Sequence, residues 1–410
     1  MKNQSKLNFV SLGSLTTVPP QNGYSPICNN EPTGKWLLGL SALTENGLDL
    51  SQVKPASADD PLIDRFIINE GDFLISRSNT LDKVGRIGLY RGELGNCSYP
   101  DLMMRFRVST SKVCPDYLEI YLRSDKVVKY IQQNATGTSG SMKKINQKTV
   151  ESIPVLLPPL DIQQKIAVIL GSWNIAIEKT AQLILAKELF LKALYHHFFT
   201  PTHLLHTGWK KVRINHLLIP RDQKSVPSHD LPLYSLTIED GVTPKTDRYN
   251  REFLVRDTNS KTYKVVHPSD IVFNPPNLRW GAIARSEVNQ KVLVSPIYEV
   301  LAIDKGKVNP DLLAHALTCA RQISIFALMV EGTLIERMAV KLNTFLTTEI
   351  ILPIERNQQD KIAELLNAAK EEIKLLKTNV NAYQKQKRGL MQKLLTGKWR
   401  VRPDEPEVTE

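Results

Sequence analysis

The sequence has few cysteines and no long apolar run, and both shortages exclude whole classes of protein. Its four cysteines stand far apart without a C-x-x-C pair, so neither a zinc ribbon nor a disulfide framework is predicted. No run of about 18 apolar residues occurs and the segment 1–10 is polar, which argues against a membrane span and a secretion signal. We therefore expect a cytoplasmic protein with reduced thiols and no membrane partner.

Motifs that carry catalysis are missing as well. The sequence has no Walker-type phosphate loop, no G-x-S-x-G elbow and no credible set of nuclease carboxylates. Asn274-Pro275-Pro276-Asn277 resembles the N-P-P-aromatic loop of adenine methyltransferases, but Asn277 replaces the aromatic residue and no glycine-rich turn for S-adenosylmethionine precedes it. We interpret these four residues as a loop at a strand end and predict no catalytic residue.

The net charge and the length predict a two-domain protein with a polyanionic partner. The chain has 53 Lys and Arg against 42 Asp and Glu, a formal net charge of +11. Such a surplus attracts nucleic acid through long-range fields and counterion release, with a merely soluble basic protein as the alternative. Because 410 residues exceed the size that one core usually supports, we expect two globular domains.

The strongest pattern is an internal repeat. Landmarks of the first half recur 194 or 195 residues later in the second half, which is typical of a duplicated structural unit. The matched landmarks are Glu45-Asn46-Gly47 with Glu239-Asp240-Gly241, Pro115-Asp116 with Pro310-Asp311, and Gly137-Thr138 with Gly332-Thr333. The intervening sequence favours mixed α/β structure. The predicted strands are 72–76 and 270–273, and the predicted helices are 116–134 and 311–330.

Each copy is predicted to end in a long helix of about 35 residues, or roughly 50 Å. An apolar strand, 153–157 or 348–352, ends in proline before the helix. Asp161 or Asn357 is placed where its side chain can cap the first turn. Residues that end helices follow at Thr200-Pro201 and Thr396-Gly397.

Apolar residues in both helices alternate at spacings of four and three, the pattern of a heptad seam. A buried core helix is the alternative for one such segment, but two matched seams favour an antiparallel coiled-coil pair. The predicted seam comprises Ile166, Leu170, Trp173, Ile177, Ile184, Leu191, Leu194 and Phe198 in the first helix and Ile362, Leu366, Ile373, Leu376, Val380, Tyr383, Leu390 and Leu394 in the second.

A histidine cluster near the end of the first helix is a weak candidate for a metal site. A metal needs convergent ligands, yet the second copy has Gln392 and Lys393 in place of the first two histidines. We predict packing or surface roles, and no metal, for His196, His197, His203 and His206.

Basic, amide and aromatic side chains in loop-like stretches are the candidate DNA contacts. Arginine can bond the edge of guanine with two donors and lysine can neutralise phosphate, whereas a solvated surface charge is the alternative for each one. The candidates are Arg77, Asn79, Lys83, Arg86, Arg91, Lys143 and Lys144 in the first copy and Asn277, Arg279, Trp280, Arg285, Arg337 and Lys341 in the second.

Together these features resemble the specificity subunit of type I restriction-modification enzymes. The resemblance rests on two recognition-sized domains, each followed by a heptad helix with a Pro-Pro-Leu-Asp-Ile-Gln-Gln-type start at 158–164 and, more loosely, at 353–359. The stretches 71–77 and 140–145 are also similar to sequences of that family's target recognition domains. The second helix start departs from the pattern, with Ile354-Glu355-Arg356 where the first has Pro159-Leu160-Asp161.

The resemblance implies an α+β fold with a pseudo-twofold internal repeat, in which two mixed α/β target recognition domains are separated by two long antiparallel coiled-coil helices. It implies a non-catalytic subunit that recognises a bipartite target in double-stranded DNA together with two modification (methyltransferase) subunits and restriction (helicase-nuclease) subunits. S-adenosylmethionine, ATP and magnesium are then expected on those partners. The predicted regions are a first recognition domain 1–152, a first spacer helix region 153–207, a second recognition domain 208–347, a second spacer helix region 348–400 and an acidic tail 401–410.

Two further hypotheses follow from the same sequence. Because the loops 77–79 and 275–277 differ, the two DNA half-sites are expected to differ, which makes the target asymmetric. The competing interpretation is a free-standing DNA-binding regulator that dimerises through the coiled-coil helices. A scaffold that binds helical proteins without DNA would leave the basic loops unexplained.

Overall fold

The computed structural model describes residues 8–137, 142–205, 208–245, 262–332, 338–399 and 401. Two compact units divide the chain, and each is described separately. Unit 1 comprises Met1–Thr180 and Asn379–Glu410, and unit 2 comprises Ala181–Thr378. Both boundaries between the units therefore fall inside the long helices, whereas the domain boundaries expected from the sequence stay predictions.

Unit 1 has mixed helix and strand. Its strands are β1 (Phe9–Ser11), β2 (Thr16–Asn22), β3 (Trp36–Leu38), β4 (Leu43–Thr44), β5 (Gly47–Leu48), β6 (Val53–Pro55), β7 (Asp72–Ser76), β8 (Ser78–Asn79), β9 (Ile87–Leu89), β10 (Cys97–Ser98), β11 (Met103–Val108), β12 (Lys143–Lys144) and β13 (Pro154–Leu156). Its helices are α1 (Pro115–Leu122), α2 (Asp125–Asn134), α3 (Gln147–Glu151) and the first part of α4 (Leu160–Phe198).

The central sheet of unit 1 has the strand order β2-β11-β7-β9, and all its pairs are antiparallel. Strand β7 is buried along its whole length, which agrees with the apolar run Phe73–Ile75. Phe73 and Phe106 of neighbouring strands stack with ring centroids 5.1 Å apart. Helix α1 covers this layer, and its Tyr117 hydroxyl donates to the Leu156 carbonyl at 2.7 Å.

Unit 2 repeats the same elements. Its strands are β14 (Trp209–Arg213), β15 (Leu218–Pro220), β16 (Lys224–Ser225), β17 (Tyr234–Thr237), β18 (Gly241–Pro244), β19 (Tyr263–Val266), β20 (Ile271–Phe273), β21 (Ile283–Arg285), β22 (Val292–Val294), β23 (Glu299–Ile303) and β24 (Glu349–Pro353). Its helices are α5 (Pro310–Thr318), α6 (Ala320–Leu328), α7 (Leu342–Thr347) and the first part of α8 (Arg356–Leu394).

The central sheet of unit 2 matches that of unit 1 strand for strand. Its central sheet runs β15-β23-β20-β21, and β14 pairs with β24 just as β1 pairs with β13. Phe273, Phe326 and Phe345 are fully buried and pack together in its core. The predicted fold class, α+β with an internal repeat and two long helices, is confirmed.

Two predicted helices are each broken into two. Instead of continuous helices over 116–134 and 311–330, the chain forms α1 then α2, and α5 then α6. The breaks occur because Ser124 and Cys319 have extended backbones, with ψ of 150° and 149°. Both residues precede the new helix, and a residue with that conformation cannot continue the hydrogen-bond ladder.

Both long helices have 39 residues, a length of roughly 58 Å at the α-helical rise. They begin at Leu160 and Arg356, so Asp161 and Asn357 lie inside the first turn and the predicted capping role is wrong. The ends are close to those expected, and Gly397 has the left-handed conformation predicted for it, with φ of 70°.

A buried glutamine anchors the start of each long helix. Gln163 accepts from the Cys114 backbone N–H at 2.8 Å and donates to the Pro158 carbonyl at 2.7 Å. Gln359 accepts from the Asn309 backbone N–H at 2.8 Å and donates to a proline carbonyl at 2.9 Å. Each glutamine therefore ties the helix to the preceding strand end and to the residue before α1 or α5.

The long helices run antiparallel where each unit contains both of them. In unit 1, Trp173 contacts Tyr383 edge-on at 5.8 Å between centroids, while Leu170 shares a core cluster with Leu394. In unit 2, Lys187 pairs with Glu372 at 2.8 Å and Lys377 with Glu188 at 2.7 Å. Every predicted seam position is buried or half-buried.

His315 joins three helices in unit 2. It is 4% exposed on α5, its Nδ1 lies 2.9 Å from the Tyr195 hydroxyl of α4, and its Nε2 lies 2.8 Å from Asn367 Oδ1 of α8. With the proton on Nε2, the ring donates to Asn367 and accepts from Tyr195, which satisfies both nitrogens. The neutral ring therefore fits this junction.

We expect unit 2 to lose stability as the pH falls below about 6.5. Burial is the main cause that lowers the pKa of His315, and the nearby charges of Lys370 and Arg285 lower it further. The hydrogen bond to Asn367 and the charge of Asp311 raise this pKa, but they do not outweigh the burial. Because His315 binds the proton more readily in the unfolded chain, folding is destabilised when this histidine must stay neutral. The stability that neutral His315 contributes is complete above its pKa in the unfolded chain and is lost as the pH falls through its pKa in the folded protein. Thermal unfolding between pH 5 and 8 should show a steeper pH dependence for the wild type than for His315→Gln; identical slopes would contradict the assignment.

Candidate nucleic-acid interface

A buried carboxylate fixes the start of the central strand in each unit. Asp72 is 2% exposed, binds Arg107 at 2.9 Å and accepts from the Asn69 backbone N–H at 2.8 Å. Asp270 is 3% exposed and binds Arg221, whose Nε and Nη2 donate at 2.8 and 3.2 Å. The loops that carry the candidate DNA contacts leave the other ends of these two strands.

In unit 1 the structure brings four predicted contacts together on a short two-stranded ribbon. Strand β8 pairs with β12, with Asn79 opposite Lys143 and Ser78 opposite Lys144. The preceding residue, Arg77, joins the ribbon because its carbonyl accepts from the Ile145 backbone N–H at 2.9 Å. We call this the unit 1 ribbon.

The unit 1 ribbon carries positive charge. Arg77 Nη1 donates to the Asp101 carbonyl at 3.3 Å and Lys143 Nζ donates to the Gly137 carbonyl at 2.6 Å. A carbonyl dipole does not neutralise a cation, so the Arg77 and Lys143 side chains both keep their full positive charge. Asn79 stabilises the loop, since its side chain accepts a hydrogen bond from the Thr80 backbone N–H at 2.9 Å. Lys83 lies in the turn that follows.

Unit 2 has a corresponding segment that keeps three of these backbone hydrogen bonds but carries different side chains. The Val340 backbone N–H donates to the Pro275 carbonyl at 3.1 Å, matching the bond that joins Ile145 to Arg77. Glu331 and Ala339 exchange two backbone bonds, as Thr136 and Lys144 do in unit 1. Met338 and Ala339 therefore stand where unit 1 has Lys143 and Lys144, 195 residues earlier. We call this the unit 2 ribbon.

A rigid turn beside the unit 2 ribbon displays an aromatic side chain. The 3₁₀ turn Leu278–Trp280 ends at Gly281, whose φ of 94° suits glycine. Trp280 is 58% exposed, and the Arg279 guanidinium carbon lies 4.1 Å from its ring centroid. Arg279 Nη1 also approaches Met338 Sδ at 3.6 Å, which connects the turn to the unit 2 ribbon.

Other predicted contacts are engaged in ion pairs within the fold. These pairs are Arg86 with Glu45 at 3.4 Å, Arg91 with Asp116 at 2.7 Å and Glu119 at 2.8 Å, Arg285 with Asp311 at 2.5 Å, and Lys341 with Glu331 at 2.7 Å. A cation that already has a carboxylate partner has less charge to offer phosphate. Arg337 lies outside the described residues, and the DNA-contact role of every candidate stays a prediction.

The Asn-Pro-Pro-Asn segment and the histidines have structural contacts. The backbone of Asn277 accepts from Trp280 at 3.0 Å, so the segment leads into the 3₁₀ turn. His203 stacks on Trp209 at 4.2 Å between centroids and contacts the His197 carbonyl, while His206 lies outside the described residues. Within the described ranges, no three His, Cys, Asp or Glu side chains gather as a metal site, and no helix is long and apolar enough to span a bilayer.

Comparison with known proteins finds a family model that matches a stretch in the first half of the chain. The family model for the type I restriction modification DNA specificity domain matches residues 21–186. The putative type I restriction enzyme MjaX specificity subunit of Methanocaldococcus jannaschii is 26% identical over 238 residues, 57% of this chain and 54% of that protein. The EcoKI specificity subunit of Escherichia coli K12 is 31% identical over 163 residues, 39% of this chain and 34% of that protein.

The fold is shared over almost the whole chain. The crystal structure of a type I restriction-modification S subunit from M. genitalium aligns with a TM-score of 0.61 at 13% identity, covering 99% of both chains. A chain from a structure of complex assembly and conformational transition in a type I R-M system aligns with a TM-score of 0.56 at 14% identity, covering 96% of this chain and 99% of that one.

The sequence alignments are shorter than the structural ones. They span about half or less of the curated relatives' length, whereas the shared fold extends over both units. The resemblance predicted from the sequence is confirmed: residues 21–186 match the type I restriction modification DNA specificity domain, and parts of the chain are similar to specificity subunits of type I restriction enzymes.

Proposed function

We propose that this protein is the DNA-specificity subunit of a type I restriction-modification complex and that each unit reads one half of an asymmetric bipartite target. The observation that carries the proposal is the pair of matched ribbons with different side chains. Three corresponding backbone hydrogen bonds hold both, yet unit 1 presents lysines where unit 2 presents methionine and alanine. Two recognition domains that share a backbone framework but present different side chains suit two different half-sites.

In this proposal, the catalytic steps belong to partner subunits. Two modification subunits supply adenine methylation with S-adenosylmethionine, and restriction subunits supply DNA translocation and cleavage with ATP and magnesium. The long paired helices separate the readers and position those partners. Direct base contacts and DNA shape together then define the sequence that is recognised.

Methylation mapping tests the proposal. The full chain is co-expressed with the methyltransferase subunit encoded beside it in a host without DNA methylation, and N6-methyladenine is mapped by single-molecule sequencing. We expect one split, asymmetric motif that is methylated only when both proteins are present. A symmetric palindrome would contradict the two different readers, and absent methylation despite a stable complex on DNA would favour the regulator interpretation.

A further inference from the structure

The exposed tryptophan of unit 2 differs from its counterpart in unit 1. Gly85 and Gly281 are matched glycines with φ of 78° and 94°, 196 residues apart in the sequence. The residue before each one should therefore play the same packing role. In unit 1 it is Val84, 4% exposed, and in unit 2 it is Trp280, 58% exposed. Unit 2 thus displays a large aromatic side chain where the fold itself needs only a small buried one.

The surroundings of Trp280 hold the ring in a defined orientation. Arg279 covers the ring at 4.1 Å, so the guanidinium occupies the space over one face. Among the described residues, Arg279 Nε and Asn274 Oδ1 are buried without a hydrogen-bond partner. Both atoms lie below the surface, so the exposed Trp280 ring is the part of this turn that can reach a ligand.

We propose that Trp280 stacks on a base of the unit 2 half-site at a distorted base step, with Arg279 fixing the ring and facing the backbone phosphates. This inference rests on the proposed function and deepens it. An aromatic ring stacks on any base because every base has a π face, and apolar side chains that enter a base step unstack and kink it. In this proposal, unit 2 recognises its half-site through how easily a base step deforms, whereas unit 1 recognises its half-site through charged side chains.

The salt dependence of DNA binding separates stacking from charge. The probe is a duplex selected from a randomised pool by the full chain in complex with its methyltransferase subunit. Trp280→Ala is expected to weaken binding about 10- to 100-fold with an unchanged slope of log affinity against log salt, since no charge is removed. Lys143→Ala combined with Lys144→Ala should instead reduce that slope by about 1.8, because each phosphate contact contributes about 0.9.

Matched variants keep the test independent of folding. Trp280→Phe should retain most of the affinity, whereas Trp280→Val, which copies Val84 of unit 1, should lose as much as Trp280→Ala. The control is Trp399→Ala, because Trp399 is 53% exposed and has Lys393 Nζ 4.0 Å from its ring centroid, yet it follows α8 and belongs to neither ribbon. It should bind the duplex like the wild type.

A fluorescent base locates the contact. With 2-aminopurine moved one position at a time through both half-sites, binding of the wild-type complex should brighten the base that loses its stacking neighbour at the opened step, in one half-site only, and Trp280→Val should abolish that signal. A selected duplex that binds Trp280→Val and wild type within twofold, or a signal unaffected by the variant, would overturn the Trp280 assignment alone. If no duplex were selected from the pool, both the Trp280 assignment and the proposed function would be contradicted.

Discussion

Inserting one heptad after Thr180 and another after Leu376 is expected to lengthen the spacer between the half-sites of the proposed bipartite target by at most about three base pairs. Seven residues add roughly 10.5 Å to a helix, and base pairs are spaced about 3.4 Å apart along the duplex. The insertion sites lie at or within two residues of the boundaries between the units. Neither insertion therefore alters a ribbon or a central sheet.

Both helices must be lengthened together. A heptad preserves the register of a seam repeat, so the doubly extended protein should fold and direct methylation by its partner subunit to a motif with the same half-sites and a longer gap. A heptad in α4 alone is the control, and it should reduce methylation of every motif, because pairs such as Lys187 with Glu372 lose their register. An unchanged gap for the double insertion in methylation maps would show that the helices do not set the spacing.

Replacing Asp270 with alanine is expected to destabilise unit 2 by about 3 kcal/mol. Removing one partner of a buried ion pair typically costs about 3–5 kcal/mol, since the remaining charge has no partner. The lower end applies because the Arg221 side chain is 29% exposed whereas that of Asp270 is 4% exposed. The backbone N–H of His267, which donates to Asp270 at 2.9 Å, also loses its acceptor.

Hydrogen exchange resolves this effect by unit. A loss of about 3 kcal/mol corresponds to roughly 100-fold faster exchange in β20 and β23, with protection of β7 and β11 unchanged. Asp72→Ala should produce the reverse pattern and is the matched control. Asp270→Asn combined with Arg221→Gln should recover part of the protection, because it leaves no unpaired charge. Acceleration below threefold in Asp270→Ala would refute the structural role of the pair.

Sequence periodicity predicted the long helices and the repeat because both patterns extend over many residues. The predicted strand 72–76 coincides with β7, and the helix starts are displaced by only two residues. The breaks at Ser124 and Cys319 were not predicted, because neither residue is a strong helix breaker and tertiary packing decides their backbone conformation. Repeat matching could have found Gln163 and Gln359, which occupy equivalent positions.

The candidate interface was harder to predict, because charge alone does not reveal its partner. Arg91 and Arg285 resemble DNA contacts in the sequence, yet carboxylates distant in the chain lie beside both. Lys143 and Lys144 were selected by the same criterion, and only the pairing of β12 with β8 shows that they lie beside Arg77. Met338 was overlooked, because the sequence does not show that it faces Arg279.

The division of both long helices between the units has a consequence for synthesis on the ribosome. Unit 2 is one continuous segment, Ala181–Thr378, whereas unit 1 needs Asn379–Glu410 to be complete. Leu390, Leu394 and Leu395 from that last segment pack against the core of unit 1. The core of unit 1 is therefore completed only after the whole of unit 2 has been synthesised, although most of unit 1 is made before it.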